Sequence, residues 1–198
     1  MGTLTYSPSG GPIAMDFAER RRNMVEGQLR TNKVIDERLI AAMERVEREK
    51  FVPARLAGVA YVDEDIALGG GKYLMEPMVF ARLVQALALN PGERVLVVGD
   101  FSGYAAAVLR EMGVGLASDA DESPVDAVLF AGAVGELRGR YADRLTEGGR
   151  MAAVVVEPGE PGRATLWRKI GGALSSLVMF DAATPVLPGF EKTPSFVL

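Results

Sequence analysis

An α/β fold with a mostly parallel, doubly wound sheet is the architecture this sequence predicts, on three observations. Apolar runs at residues 94–98, 125–130 and 151–156 alternate with helix-forming stretches at 104–112 and 135–145. That alternation suits a parallel sheet covered on both faces. The first run opens directly into Gly99-Asp-Phe-Ser-Gly103 and then a helix, the strand–loop–helix at which open α/β sheets take up ligands. Upstream of residue 92 the apolar spacing is helical, so a helical region stands beside the sheet.

Each element has its own signal. Residues 1–14 hold Ser, Pro and Gly with little periodicity; a flexible tail is expected, with Met15 a candidate start. Phe17, Met24, Val25 and Leu29 share a helical stripe, with Arg20, Arg21 and Arg22 on the outward face. Asp36 is an N-cap ahead of Leu39, Ile40, Met43 and Val46, and Pro53 stops that segment. Glycines 69–71 break the chain. Pro77 opens a helix carrying Phe80, Leu83, Val84 and Leu87 on one face, closed by a turn at Asn90-Pro-Gly92. After the strand at 94–98 and its helix, residues 114–118 read as a weaker strand whose place in the sheet the sequence leaves open. A turn is expected at Gly148-Gly149, and residues 165–170 and 173–180 around Gly171-Gly172 read as an antiparallel C-terminal hairpin. The predicted division is a 1–14 tail, an N-terminal helical, substrate-side region over 15–92 and the sheet region over 93–198, the last two forming one unit.

Composition removes whole classes of chemistry. The 198 residues contain 22 Lys+Arg and 26 Asp+Glu, for a net charge of −4, so non-specific nucleic-acid binding has no electrostatic footing. There is no Cys and no His, which excludes disulfides, thiolate nucleophiles, His-based triads and Cys/His-ligated zinc. No apolar run approaches the roughly 20 residues that span a bilayer. With no signal-like N-terminal pattern, the expected address is cytoplasmic, away from any membrane.

Three constellations are weighed as sites. The loop at residues 99–103 is read as a ligand loop, whose glycines and helix N-terminus offer free N–H groups, against a plain turn. Gly69-Gly-Gly-Lys72 is similar to a phosphate loop, but Tyr73 stands where Ser or Thr is required and Ile66 where the first Gly belongs. Asp119, Asp121, Glu122 and Asp126 could meet a hard cation, but a solvated turn is the preferred reading, and no metal is expected. Trp167, the sole tryptophan, is read as packing.

Several ordered stretches carry a resemblance. Met24-Val-Glu-Gly-Gln-Leu-Arg30, the segment from Asp36 ending in Glu49-Lys-Phe-Val-Pro53, Ala60-Tyr-Val-Asp63, and Leu68-Gly-Gly-Gly71 through Pro77 all contribute. So do Val95-Leu-Val-Val-Gly99 with Ser102-Gly-Tyr-Ala-Ala106, Pro124-Val-Asp-Ala-Val-Leu129 and Leu145-Thr-Glu-Gly-Gly-Arg150. Over residues 20–156 the chain resembles the protein-L-isoaspartate O-methyltransferase family, S-adenosyl-L-methionine (SAM)-dependent repair enzymes with a Rossmann-like fold. The resemblance implies transfer of the SAM methyl to the carboxylate of an isoaspartyl protein or peptide, after which the ester collapses to a succinimide. It implies cofactor contacts at Gly99, Asp100, Ser102, Gly103 and Tyr104, with Asp119 toward the ribose. Gly69, Gly71, Lys72 and Pro77 fall on the substrate side.

Against that pattern several positions are changed. The family's catalytic hydroxyl falls on Met75, which cannot donate a hydrogen bond, and the neighbouring Glu76 would repel a carboxylate when ionised. Val97 stands at an acidic position and Phe101 at the loop's middle glycine. Overpacking by Phe101 costs roughly 1–3 kcal/mol, and a lost charge-assisted hydrogen bond roughly 1.5–3 kcal/mol, together about two to four decades of affinity. Only residues 119–124 separate two expected strands, too few for a crossover helix, so a helix and a strand of the family are missing. The sequence therefore reads as a shortened, degenerate member, a pseudoenzyme with lost or strongly weakened methyl transfer that acts as a binding or regulatory module. The alternative is an active carboxyl methyltransferase with a rebuilt pocket, and a third reading is another small ligand at the same loop. The missing helix leaves a flank of sheet bare, from which a homodimer is expected.

Overall fold

The computed structural model describes residues 16–137 and 139–192; the tail expected at 1–14 lies outside them. Helix α1 (Phe17–Met24) is capped by Asp16, whose carboxylate accepts from the Glu19 amide at 2.9 Å, and runs on through a π turn at Val25–Leu29. Asp36 caps α2 (Glu37–Arg45) by accepting from the Arg38 and Leu39 amides, as its side chain dictates. The expected break at the triple glycine is a small antiparallel hairpin, β1 (Ile66–Gly69) and β2 (Lys72–Leu74), with φ of 100°, 62° and 73° at Gly69, Gly70 and Gly71. Such values favour glycine. Pro77 starts α3 (Pro77–Leu87).

The main sheet follows: β3 (Arg94–Val98), α4 (Tyr104–Glu111), β4 (Gly115–Ala117), β5 (Val125–Val134), α5 (Gly139–Asp143), β6 (Leu145–Val155), β7 (Arg163–Ile170) and β8 (Ala173–Asp181). Its order is β4-β3-β5-β6-β7-β8, parallel through β6 and antiparallel beyond. Ligand-bearing geometry thus falls at β3 and β5, where the chain reverses direction across the sheet.

The short link at 119–124 works because β4 is so short. Ala117 pairs with Leu96, the midpoint of β3, so the chain need only drop back beneath β3 to enter β5. Arg94 fastens the passage: its amide donates to Asp126 at 2.9 Å and its guanidinium to Asp121 at 2.9 Å. The weak strand does join the sheet, and the crossover helix and further strand are absent among the described residues. With three residues in β4, Leu116 packs on one core and Ala117 on the other, so this flank leaves little apolar surface bare.

Alternation along the strands builds two cores. Val95, Ala127, Leu129, Ala152 and Val154 face α2, α3 and α4, whereas Leu96, Val128, Phe130, Met151 and Ala153 face α5 and the C-terminal segment. There Phe130, Tyr141 and Phe190 form an aromatic cluster with centroids 5.1 to 5.9 Å apart. Two expectations are corrected. The helix expected at 135–145 shrinks to α5, and β5 extends to Val134 because Ala133 finds backbone partners in Val154 and, on the other side, in Pro185 and Leu187. The turn expected at Gly148-Gly149 lies within β6, beside an irregularity in its register. Arg150 in β6, buried, donates to the Leu87 and Ala88 carbonyls at 2.7 and 2.9 Å and pairs with Glu93 at 2.7 Å. It thereby caps α3 where Ala88 takes a left-handed φ of 46°. No helix among the described residues is long and apolar enough to cross a membrane.

Candidate ligand cleft

The loop after β3 is closed by its own side chains. Asp100 accepts from the Gly103 amide at 3.0 Å, the Ala106 amide at 2.8 Å and the Ser102 hydroxyl at 3.2 Å, while Ser102 Oγ accepts from the Tyr104 amide at 3.0 Å. The amides of Gly103, Tyr104 and Ala106 that the sequence reading left free for a ligand are therefore engaged, with Asp100 serving the start of α4 as a caged anion. Gly99 and Gly103 sit at φ of 80° and 81°, which lets the loop double back with the Phe101 amide on the Gly99 carbonyl at 2.9 Å.

Phe101 is the clearest correction. Its ring does not enter the cleft: it is 40% exposed and lies under the Lys72 amine, 5.4 Å from the ring centroid. The overpacking assigned to it from sequence does not arise. Tyr104 turns the other way, 1% exposed, between Phe51, Phe80 and the Arg48 guanidinium 4.7 Å from its ring. Val97 packs against the main core.

The C-terminal segment packs on the other face of these strand ends. Leu187 is 4% exposed, and a Cβ built on either Gly99 or Gly132 would stand 2.4 Å from its Cδ2. Glycine at both strand ends is what lets the leucine enter. On the α4 side the loop borders a cavity of about 10 Å³ among Met75, Phe80, Gly99, Asp100, Tyr104 and Ala131, room for about one water molecule.

The sequence-derived residues thus separate into groups. Met75, Gly99, Asp100, Ser102 and Tyr104 converge on this cavity, and Gly103 opens α4 beside it. Gly69, Gly71 and Lys72 form the rim, Gly71 facing Pro188 and Lys72 facing Phe101. Pro77 is buried as the first residue of α3. Asp119 lies elsewhere, paired with Arg140 at 2.9 Å on a separate 320 Å³ cleft shared with Glu122, Asp143 and Arg144. The acidic run is tied into ion pairs and turns (Asp121 to Arg94 and Ser123, Asp126 to the Arg94 amide), and no metal-holding group occurs among the described residues. Trp167 packs against the second core. Arg21, expected outward, turns inward to the Tyr61 hydroxyl at 2.9 Å and Glu49 at 3.3 Å; Arg20 and Arg22 stay exposed. Leu187, Gly132, Arg48 and Asp65 were missed, and none carries a local sequence signal.

Glu76 is electrostatically unusual. Burial, then the neighbouring charges of Asp65, Asp63 and Glu64, push its carboxyl from 4.5 up to about 7. Asp65, itself raised by burial, accepts from the Glu76 amide and the Thr184 hydroxyl, both at 3.0 Å. Between about pH 4.5 and 7 the folded chain therefore holds a proton that the unfolded chain has released, so stability falls as pH rises through that window. Glu76→Gln should abolish this slope and gain roughly 1 kcal/mol at pH 8 after solvent screening. Urea unfolding from pH 5 to 8 checks it; parallel curves for both proteins would refute the assignment.

Comparison with known proteins fits this frame. Residues 19–118 match the family Protein-L-isoaspartate(D-aspartate) O-methyltransferase (PCMT). The chain is 36% identical over 180 residues to the protein-L-isoaspartate O-methyltransferase of Methylorubrum populi, covering 75% of this chain and 84% of that one. It is 46% identical over 108 residues to the enzyme of the same name from Methylorubrum extorquens, covering 54% of this chain and 47% of that relative's length. A protein-L-isoaspartate O-methyltransferase crystal structure from Plasmodium falciparum, in complex with S-adenosyl-L-homocysteine, superposes with a TM-score of 0.70 at 17% identity, covering 84% of this chain and 97% of that one. That likeness is one of fold.

Proposed function

Because the chain belongs to the protein-L-isoaspartate O-methyltransferase family, we propose that it is a member whose SAM-dependent carboxyl methyl transfer is lost or strongly weakened in this fold, leaving a binding or regulatory module for isoaspartyl-containing protein or peptide. One observation carries the reading: the cavity between the loop after β3 and Met75, Phe80 and Tyr104 holds about 10 Å³, whereas small-molecule sites run to roughly 300–1,000 Å³. A molecule the size of SAM does not fit these residues as they stand. Met75 adds to this, since its thioether can neither hold nor orient a substrate carboxylate by hydrogen bonding. The exposed Lys72 amine at the rim is the group that would draw an acidic peptide.

A second reading, an active carboxyl methyltransferase with a rebuilt pocket, is favoured by Glu76. With its carboxyl raised to about 7, this group is largely neutral below that pH and no longer repels a carboxylate substrate.

Calorimetric titration with S-adenosyl-L-homocysteine decides between the two. The first reading expects a Kd near millimolar or weaker for the unaltered chain, and no methylation of an isoaspartyl peptide above background. Micromolar binding with peptide turnover would overturn it in favour of the second.

A further inference from the structure

We propose that the outer edge of β8 is a self-association surface, on which a second copy of this chain adds its own β8, antiparallel, about a two-fold axis at Ser176. The surface lies at the end of the sheet opposite β4 and does not depend on the cleft.

β8 closes the sheet, and its outer side pairs with no strand among the described residues. An open edge presents a row of unpaired N–H and C=O groups, which proteins ordinarily guard by brevity, charge, proline, a bulge or a cover. The β4 edge is guarded in this way: the strand has three residues, and Asp119 just beyond it is ion-paired to Arg140. β8 is not. It runs for nine residues, and from Ala173 to Phe180 it carries neither a charge nor a proline. Its register with β7 is unbroken from Ala173 to Val178, the irregularity coming only after that stretch, and all six of these residues are exposed.

Apolar side chains gather along the same edge. Of the eight large apolar residues exposed among the described ones, four lie on this hairpin: Ile170, Leu174, Leu177 at 63% and Val178 at 54%. Pairing with β7 assigns their faces. Leu174, Ser176 and Val178 oppose Lys169, Trp167 and Thr165 on the α5 face, whereas Leu177 opposes Leu166 on the α3 face.

The chemistry of the edge selects its occupant, which must bring a free strand of similar length without charges to strand against an apolar strip. Within this chain β4 has three residues and β1 and β2 have four and three, too short to match, whereas β8 itself meets both conditions. A two-fold axis at Ser176 sets Val178 of each copy opposite Leu174 of the other, and Leu177 opposite Ser175. No charges face one another, because Asp181 lies beyond the paired stretch. The contact is isologous, so each edge is used once and association stops at two copies. Six paired residues span roughly 20 Å, a contact at the small end of protein interfaces, so the dimer is weak and its population depends on concentration in the micromolar range.

Sedimentation velocity of the full chain from low to high micromolar concentration tests this, and a rise from monomer to dimer is expected. Ser176→Lys, at an exposed position, sets two ammonium groups opposite each other on the axis and should weaken the dimer at least tenfold. The chain has no cysteine, so Ser176→Cys carries a single thiol. Facing residues of antiparallel strands lie about 4.5–5.5 Å apart at Cα, within the reach of a disulfide. With oxidised glutathione as oxidant, this variant should link into a covalent dimer at least tenfold faster than Glu122→Cys, exposed on the link after β4. A chain that stays monomeric throughout overturns the proposal. So does a dimer that Ser176→Lys leaves intact, or one in which Ser176→Cys links no faster than Glu122→Cys, because the contact then lies elsewhere. Amide exchange over residues 174–178 tests the remaining occupant, a segment of the same molecule. Protection should rise with concentration; equal protection at every concentration places any cover within one copy and overturns the second.

Discussion

Arg48→Ala should cost about 4 kcal/mol, roughly 10 °C in Tm for a chain of this size. Arg48 is completely buried and has no carboxylate partner within ion-pair distance among the described residues. Its Nε donates to the Ala60 carbonyl and its Nη2 to the Met75 carbonyl, both at 2.7 Å, while its plane lies over the Tyr104 ring. Two segments far apart in sequence are thus pinned to one planar group, and one of them is the stretch aligned with the family's catalytic hydroxyl. Removing the side chain orphans two buried carbonyls, each worth about 1–3 kcal/mol, and leaves a cavity beneath Tyr104. Relief of a desolvated charge offsets part of that loss. The same desolvation pulls the Arg48 pKa below its ordinary value. Arg48→Met separates the contributions, because it refills the volume without restoring the bonds, and it should fall between wild type and alanine. Chemical denaturation at neutral pH is the measurement. A loss below about 1 kcal/mol for the alanine variant would mean that the clamp does not hold the segment at Met75.

The parts of this fold that were legible share a local cause. Asp36 and Pro77 announce helices because a side-chain acceptor and a fixed φ act within three residues. The run at 94–98 reads as a buried strand for the same reason: Val95, Leu96 and Val98 need no distant partner to be apolar. Elements decided at long range were not legible. Residues 131–134 have the composition of a helix start or loop, and they become strand because β6 on one side and residues 185–187 on the other align beside them. Arg21 looks like a member of a solvated trio until Tyr61 and Glu49, far along the chain, reach it. The site divides the same way. The strand–loop–helix and its convergence with Met75 follow from topology, so residues 99–104 were found. The direction of the Phe101 ring is set by the β1–β2 hairpin, and the seat of Leu187 by two glycines 33 positions apart in sequence, so both lay beyond any local pattern. The resemblance stopped near residue 156, short of the segment that packs against Gly99 and Gly132.

Gly99→Ala should destabilise the protein by about 3 kcal/mol, and the loss should depend on Leu187. Two costs add at this position. The backbone sits at φ 80°, where an L side chain costs roughly 1–2 kcal/mol. The new methyl would also stand 2.4 Å from Leu187 Cδ2 and 2.8 Å from Cδ1, so the leucine must leave its seat, for roughly 1–3 kcal/mol more. Gly132→Ala isolates the second cost, because Gly132 has no positive φ while its methyl would meet Leu187 Cδ2 at 2.4 Å and Cγ at 2.7 Å. Denaturation of a double-mutant cycle then apportions the effects. Adding Leu187→Ala should recover most of the Gly132→Ala loss and only part of the Gly99→Ala loss, the remainder being backbone strain. Simple additivity in both cycles would show that the leucine does not pack against these two glycines. Strong coupling would place the same side chain against both strand ends, where it ties the C-terminal segment to the core that holds Phe130 and Phe190.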